Sequence, residues 1–110
     1  MYTYNANVLS IYDGDTITVK IDLGFHIFTE IKLRLWGINA PELKGDSHEA
    51  GAAARDYLAG LLKTQSITVE TYKDRQEKYG RWLAIVYVDG KNINDEMVNS
   101  GHAVKYMVNE

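Results

Sequence analysis

The sequence contains no cysteine and only one proline, Pro41, among its 110 residues. Without cysteine, a disulfide framework and thiol catalysis are excluded. No apolar run approaches membrane-spanning length, and residues 1–7 lack a basic segment followed by an apolar stretch, so we expect no membrane partner. The chain therefore fits a cytoplasmic protein, or one exported after losing a leader that this chain does not contain.

An excess of positive charge is also missing. Twelve Lys and Arg face fifteen Asp and Glu, a formal net charge of −3. Long-range fields would repel a polyanion, which would then need local attraction. Residues 73–81 supply a local surplus, with four basic and two acidic side chains.

At this length and 45% hydrophobic content, residues 1–110 are expected to form a single domain.

Apolar residues alternate with polar ones in several short segments, which is typical of half-buried strands. A helical spacing in residues 50–62, behind a possible cap at Asp46 or Ser47, predicts one long helix. A shorter helix is expected at about residues 94–100, ending at Gly101. Trp36 and Trp82 are expected in the core. The predicted strands are residues 2–12, 16–23, 30–35, 66–72 and 82–88.

Three strands, a helix and two further strands are the order of the OB-fold. We therefore predict a mainly β fold with helices, namely a five-stranded OB-fold barrel with one long and one short helix. Other β-rich folds share this order, so the pattern alone leaves them open.

Two carboxylates flank a glycine in Asp13-Gly14-Asp15-Thr16. An Asp-Gly pair between alternating strands is a common hairpin signal and needs no further purpose. Asp15, however, is in phase with Ile17 and Val19, which predicts that it faces the barrel mouth. A carboxylate held there requires a cation or a hydrogen-bond donor.

Two later motifs carry polar groups that would be unremarkable alone. In Asn39-Ala40-Pro41-Glu42, the proline restricts the backbone between the two polar side chains. Lys78-Tyr79-Gly80-Arg81 is either a solvated turn or a phosphate clamp. Together with Arg34 and the two aspartates, they supply what phosphodiester hydrolysis needs: oxygen ligands for a hard cation, a group that activates water, and positive donors.

At this point the motifs resemble the staphylococcal nuclease-like (thermonuclease) family, in its order and at its spacing, from about residue 8 to residue 106. The resemblance implies an OB-fold and calcium-dependent cleavage of DNA or RNA that leaves 3′-phosphate products. It also implies that Asp15 binds the metal with the Asn39 side chain and the Ala40 carbonyl, near Asp13 and Thr16. The implied catalytic residues are Arg34, Glu42 and Arg81, and the implied nucleic-acid contacts are Lys78, Tyr79 and Tyr106.

The chain departs from the family pattern in two places. Asn39 stands where the family usually has aspartate, so we expect weak calcium binding, in the range of about 10⁻⁴ to 10⁻³ M for sites of low charge. The family's best-known member continues into a further C-terminal helix, whereas this sequence stops at Glu110, so we expect either a less covered end of the barrel or an oligomer contact in place of the helix. The alternative function is an OB-fold module that binds nucleic acid through an impaired metal site and is inactive or weakly active.

Overall fold

The computed structural model describes residues 2–76 and 78–106, with the backbone alone described at residues 72–75. Within this part, long strands alternate with two helices and three two-residue strands. The long strands are β1 (Tyr2–Asp13), β2 (Thr16–Asp22), β3 (Phe28–Leu35), β5 (Ser66–Gln76) and β6 (Trp82–Val88). The short strands are β4 (Ile38–Asn39), β7 (Lys91–Asn92) and β8 (Val104–Lys105), and the helices are α1 (His48–Leu61) and α2 (Ile93–Asn99).

The five long strands form a closed barrel. Four antiparallel pairings run in the order β3-β2-β1-β5-β6. A parallel pairing of β3 with β6, from Leu33 opposite Trp82 to Leu35 opposite Ala84, joins the two edges. Closure satisfies the backbone groups that an open edge would expose. The five-stranded OB-like barrel predicted from the sequence is confirmed.

The alternating apolar residues form the core of the barrel. On β2, Ile17, Val19 and Ile21 are buried, because side chains two residues apart share a face of a strand. Leu33 and Leu35 of β3 lie in the same cluster, together with residues of β1, β5 and β6. Trp82 is partly buried against this core, but Trp36 was wrongly expected there, since it is 38% exposed just beyond β3.

Helix α1 packs closely on the turn between β1 and β2. A Cβ atom at Gly14 would lie 2.7 Å from the Cβ of Ala40 and 2.8 Å from the Cβ of Ala54 on α1. A Cβ at Gly51 of the same helix would collide with the carbonyl oxygen of Glu42. These two glycines allow helix α1 to pack against the backbone of residues 13–16 and of residues 39–42.

The predicted side-chain cap of α1 is wrong. Ser47 occupies the N-cap position, but its hydroxyl makes no capping bond to the helix. Instead, Ser47 Oγ donates to the carbonyl oxygens of Glu42 at 2.8 Å and Lys44 at 2.9 Å. Asp46 lies in a short 3₁₀ turn, Gly45–Ser47, that precedes the helix. The serine therefore fixes the Glu42 loop rather than the helix end.

Helix α2 ends one residue earlier than expected, at Asn99, and Gly101 follows in the left-handed region with φ 83°. Beyond it, β8 pairs with β4 in a small two-stranded sheet, which the sequence pattern did not predict. In the described residues, no helix combines the length and the apolar character needed to span a membrane.

Candidate metal and phosphate site

Asp15 lies in the turn between β1 and β2 with only 6% of its surface exposed. Its Oδ2 accepts a hydrogen bond from the backbone N–H of Ala40 at 2.9 Å, and its Oδ1 accepts from the Thr16 hydroxyl at 3.0 Å. Its own carbonyl accepts from the N–H of Leu35 at 2.8 Å. The prediction that Asp15 faces the barrel rather than open water is therefore correct, and donors hold the carboxylate.

Asp13 lies beside this carboxylate, where its Oδ1 accepts from the backbone N–H of Asp15 at 3.0 Å. Burial, and secondarily the charge of Asp15, raise the pKa of Asp13 from 3.8 to about 6. Desolvation and a like charge both disfavour the ionised form. The two acids therefore lie side by side and form an acidic pocket.

Arg34 sits opposite Thr16 on the neighbouring strand and is 9% exposed. Its Nη1 donates to the carbonyl oxygens of Ile38 at 3.0 Å and Leu35 at 3.3 Å. Nη1 also lies 3.7 Å from Asp15 Oδ2. The guanidinium is thus held in a fixed orientation next to the buried acid.

The Asn39 side chain faces the same arginine. Its Oδ1 accepts from Arg34 Nη2 at 3.4 Å, at the long end of hydrogen-bond distances. Ala40, whose carbonyl the resemblance implies as a metal ligand, also contacts Asp15, through its N–H. Both residues therefore border the acidic pocket, and the described contact of Ala40 orients Asp15.

Arg81 reaches the pocket from the loop before β6. Its Nη1 donates to Thr16 Oγ1 at 3.0 Å, and the same hydroxyl donates to Asp15 Oδ1. A continuous chain of hydrogen bonds thus links the loop arginine to the buried carboxylate through Thr16. The Arg81 guanidinium also lies 5.6 Å from the centre of the Tyr79 ring, and Lys78 Nζ lies 5.1 Å from it.

Glu42 follows β4 by three residues, and its side chain is exposed. Its backbone is fixed by Gly51 and Ser47, and Pro41 restricts the chain just before it. The loop is therefore anchored on α1 while the carboxylate remains accessible to solvent.

Tyr106 is brought to the site by the unexpected β4–β8 pairing. Its backbone N–H donates to the carbonyl oxygen of Gly37 at 2.8 Å. The centre of its ring lies 5.7 Å from the Arg34 guanidinium carbon. The side chains of Lys73 and Arg75, part of the basic surplus expected in residues 73–81, lie outside the described residues, as does Glu77.

Asn94 is a positioning residue that the sequence reasoning missed. It is buried on α2, where its Oδ1 accepts from Val86 N at 3.1 Å. Its Nδ2 donates to the carbonyls of Trp36 at 2.9 Å and Ala84 at 3.0 Å. These bonds attach the segment after β3 to β6. The available signal was an amide between the buried apolar residues Ile93 and Met97 of a short helix.

The donor atoms of this pocket suit a hard cation. They are carboxylate, hydroxyl and amide oxygens, the ligand types that calcium prefers. Among the described side chains, the carboxylates of this pocket are those of Asp13 and Asp15, and a guanidinium lies beside one of them, so the negative charge is low. In residues 2–76 and 78–106, no group of three or more His, Cys, Asp or Glu is placed to hold a metal. The oxygen donors beside Asp15 therefore suit a hard divalent cation in chemistry, but few of them are charged.

Comparison with known proteins adds independent information. A family model described as staphylococcal nuclease homologue matches residues 32–110. An uncharacterized endonuclease of Haemophilus influenzae is 34% identical over 101 residues, which are 92% of this chain and 52% of that protein. A thermonuclease of Staphylococcus hyicus is 30% identical over 107 residues, 90% of this chain and 60% of its own length.

A third relative is the SPbeta prophage-derived endonuclease YokF of Bacillus subtilis. It is 35% identical over 95 residues, which are 83% of this chain and 30% of that protein. The chain thus spans about half the length of the first two of these curated relatives, 52% and 60%.

Proposed function

Because the chain belongs to the staphylococcal nuclease homologue family, we propose that it hydrolyses phosphodiester bonds of DNA or RNA with the help of a calcium ion. Relatives named thermonuclease and endonuclease support this reaction class. Among the products we expect 3′-phosphate ends.

The observation that carries the proposal is the linkage of Arg81, Thr16 and Asp15 by two hydrogen bonds of 3.0 Å, with Arg34 3.7 Å from the same carboxylate. The two guanidinium groups come from the loop before β6 and from β3, yet both are connected to one buried acid, Arg34 directly and Arg81 through Thr16. Negative charge develops on the phosphate as water attacks it. Two fixed guanidinium groups and a divalent ion held by Asp15 would stabilise that charge.

The Asp15 carboxylate, the Asn39 side-chain oxygen and the Ala40 carbonyl oxygen would hold the calcium ion, with Asp13 and Thr16 nearby. When bound, the ion supplies positive charge that polarises the phosphate. The hydrogen bonds from Ala40 and Thr16 orient the Asp15 carboxylate for this role. Because the Asp15 carboxylate is already held in position, it would lose little conformational freedom when the ion binds.

In the proposed reaction, Glu42 accepts a proton from water as the water oxygen bonds to phosphorus. The bond from phosphorus to the 5′ oxygen breaks, and that oxygen takes up a proton from a solvent water, which leaves the phosphate on the 3′ side. Arg34 and Arg81 donate to the non-bridging oxygens. Exposure of Glu42 on a loop fixed by α1 suits a base that must meet solvent water.

Lys78, Tyr79 and Tyr106 are proposed to contact the nucleic acid next to the cleaved bond. Tyr79 and Lys78 are exposed beside Arg81, and Tyr106 lies over Arg34. Exposed aromatic rings can stack on bases of any identity, and Lys78 can meet a phosphate. The substrate would therefore be held on both sides of the guanidinium pair.

Cleavage of labelled DNA and RNA with calcium, and with a chelator instead, tests the proposal. Glu42→Gln should lower the rate about 10²- to 10⁴-fold because the base is lost. Arg81→Ala should lower it about 10²- to 10³-fold. Glu49→Gln, which removes an exposed acid of α1, is the matched control and should retain the wild-type rate. Failure of the pure protein to cleave at millimolar calcium would refute the proposal.

The second candidate function is a nucleic-acid-binding module with an impaired metal site. It is favoured by the bonds of Arg34, since both of its terminal nitrogens already donate to Leu35, Ile38 or Asn39. These bonds leave fewer donors for a phosphate. Binding of an oligonucleotide without cleavage at any calcium concentration would select this candidate over the enzyme.

A further inference from the structure

A groove of about 810 Å³ opens beside Arg81 on the outer face of the barrel. Thr16 and Arg81 belong to its wall, so it is continuous with the candidate site. Its volume lies in the upper part of the range of about 300–1,000 Å³ for ligand pockets. It therefore offers more room than a single phosphate at Arg81 requires.

The strand register shows how the groove leaves the candidate site. Thr16 pairs with Arg34, and two residues further along Thr18 pairs with Lys32. On its other side, Thr18 pairs with Ser10 of β1. Because residues two apart share a face, Lys32 follows Arg34 on one side of the barrel wall, about 7 Å further along. A polar row thus crosses three strands next to the site.

The charge of the groove is opposite to that of the whole protein. Lys32, Lys44 and Arg81 line it, and none of the described residues in its wall is acidic. The chain as a whole carries a formal net charge of −3. The basic groups are therefore concentrated where an extended polyanion could pass from the candidate site.

Two tyrosines extend the same wall into solvent. Tyr12 is 63% exposed and Tyr79 is 72% exposed. Rings at the rim of a basic groove are suited to stacking on unpaired bases, whereas the bases of a duplex are already stacked on one another. This arrangement favours a single strand over a duplex.

We propose that this groove is an extended subsite for single-stranded nucleic acid, in which Lys32 and Lys44 bind phosphates and Tyr12 stacks on a base. The inference rests on the proposed function in one respect, because the strand in the groove is taken to be the one whose phosphate Arg81 holds. The groove gives the protein a preference for a longer strand over a short one.

Binding by fluorescence anisotropy tests the subsite without cleavage. A chelator removes divalent ions, and labelled single strands of about three and about 12 nucleotides are compared, within the site sizes of OB-folds. The variants are Lys32→Gln and Tyr12→Leu. Their matched controls are Lys63→Gln, a lysine after α1, and Tyr2→Leu, an exposed tyrosine at the start of β1.

We expect the wild type to bind the longer strand more tightly than the short strand or a duplex of the longer sequence. For Lys32→Gln, the slope of log affinity against log salt should fall by about 0.7, the value for one phosphate contact on a single strand. Tyr12→Leu should weaken binding of the longer strand about tenfold. Both controls should match the wild type.

Equal binding of the longer strand by wild type, Lys32→Gln and Tyr12→Leu would overturn the inference, as would equal binding of strand and duplex. If the wild type then still cleaves with calcium, the proposed function stands alone. If binding depends on Lys32 and Tyr12 but no cleavage occurs at any calcium concentration, the subsite stands and the proposed function fails.

Discussion

The two hairpin turns on either side of β2 contain the same type of local hydrogen bond, but the first turn is buried and the second is exposed. Asp13 Oδ1 accepts from the N–H of Asp15 at 3.0 Å, and Asp22 Oδ1 accepts from the N–H of Gly24 at 2.8 Å. An aspartate bonded to the backbone two residues on is a standard turn-forming arrangement. The first turn nevertheless ends in a buried carboxylate, while the second exposes 95% of Phe25.

The difference comes from what packs on each turn. The first is enclosed by Ala40 and Ala54, and a Cβ at Gly14 would collide with both. At Gly24 in the second turn, the space around an added Cβ is open. Local hydrogen bonding therefore makes a turn, but only tertiary contacts convert it into a place where a charged group is held and oriented.

The largest contrast is expected from exchanging one carboxylate for an amide in each turn. Asp15→Asn should lower nuclease activity at least about 100-fold, because loss of a metal ligand should cost no less than loss of its supporting partners. Asp22→Asn keeps the oxygen that accepts from Gly24 and should leave activity unchanged. Initial rates at saturating calcium measure both, with thermal unfolding as the check on folding. Equal rates for the two variants would remove the functional distinction between the turns.

Alanine at the glycine of each turn should lower stability for a different reason, namely lack of space in the first turn and backbone strain in the second. Gly14→Ala should lower the free energy of unfolding by about 1–3 kcal/mol, since the new methyl group cannot fit between Ala40 and Ala54. Gly24→Ala meets no atom but must adopt φ 81°, a left-handed conformation that costs about 1–2 kcal/mol.

Urea denaturation of both glycine variants gives the comparison. Gly60→Ala, at an exposed position of α1 with open space around it, is the control and should stabilise by about 0.5–1 kcal/mol. The tight packing of the first turn would be disproved by a Gly14→Ala protein as stable as the wild type. Its nuclease activity should also fall, because Ala40 donates to Asp15.

A substitution at Asn39 can add negative charge to the acidic pocket beside the first turn. Asn39→Asp adds a carboxylate oxygen where an amide now faces Arg34, and should lower the half-saturating calcium concentration about tenfold from a wild-type value of about 10⁻⁴ to 10⁻³ M. Asn7→Asp, which adds the same charge on β1 opposite Lys20, is the control. A calcium titration of the cleavage rate measures the shift. Half-saturation of the wild type at low micromolar calcium would contradict the low-charge pocket.

Residues 2–12 were compatible with a first strand, and a nearly continuous apolar run predicted β6. The alternation of apolar residues predicted β2, β3 and β5, since burial on one face imposes a period of two. It also placed Asp15 at the barrel mouth, because Asp15 continues the phase of Ile17 and Val19. The pairing of β4 with β8 was not predicted, since a two-residue strand carries no periodic signal. Sequence motifs thus named Tyr106, but only the tertiary fold explains its place over Arg34.

Side-chain partners were harder to predict than positions. Ser47 was expected to cap α1, yet it donates to Glu42 and Lys44. A serine before a helix offers both a donor and an acceptor, and the sequence does not say which one the fold uses. Asn94 was missed for a related reason, because its amide joins the backbone of β6 to that of Trp36, which lies 58 residues away in the sequence.

The smallest effect is expected at the tip of the second turn. Phe25 has φ 54° and is almost fully exposed, so Phe25→Asn removes little packing and introduces a residue that tolerates this conformation. Stability should therefore stay unchanged or rise by up to about 1 kcal/mol, as measured by urea denaturation, and nuclease activity should not change. Phe25→Leu, which retains the strained backbone, should show no gain. A loss of more than about 1 kcal/mol in Phe25→Asn, beyond the range of ordinary surface substitutions, would mean that the second turn is also held by tertiary contacts.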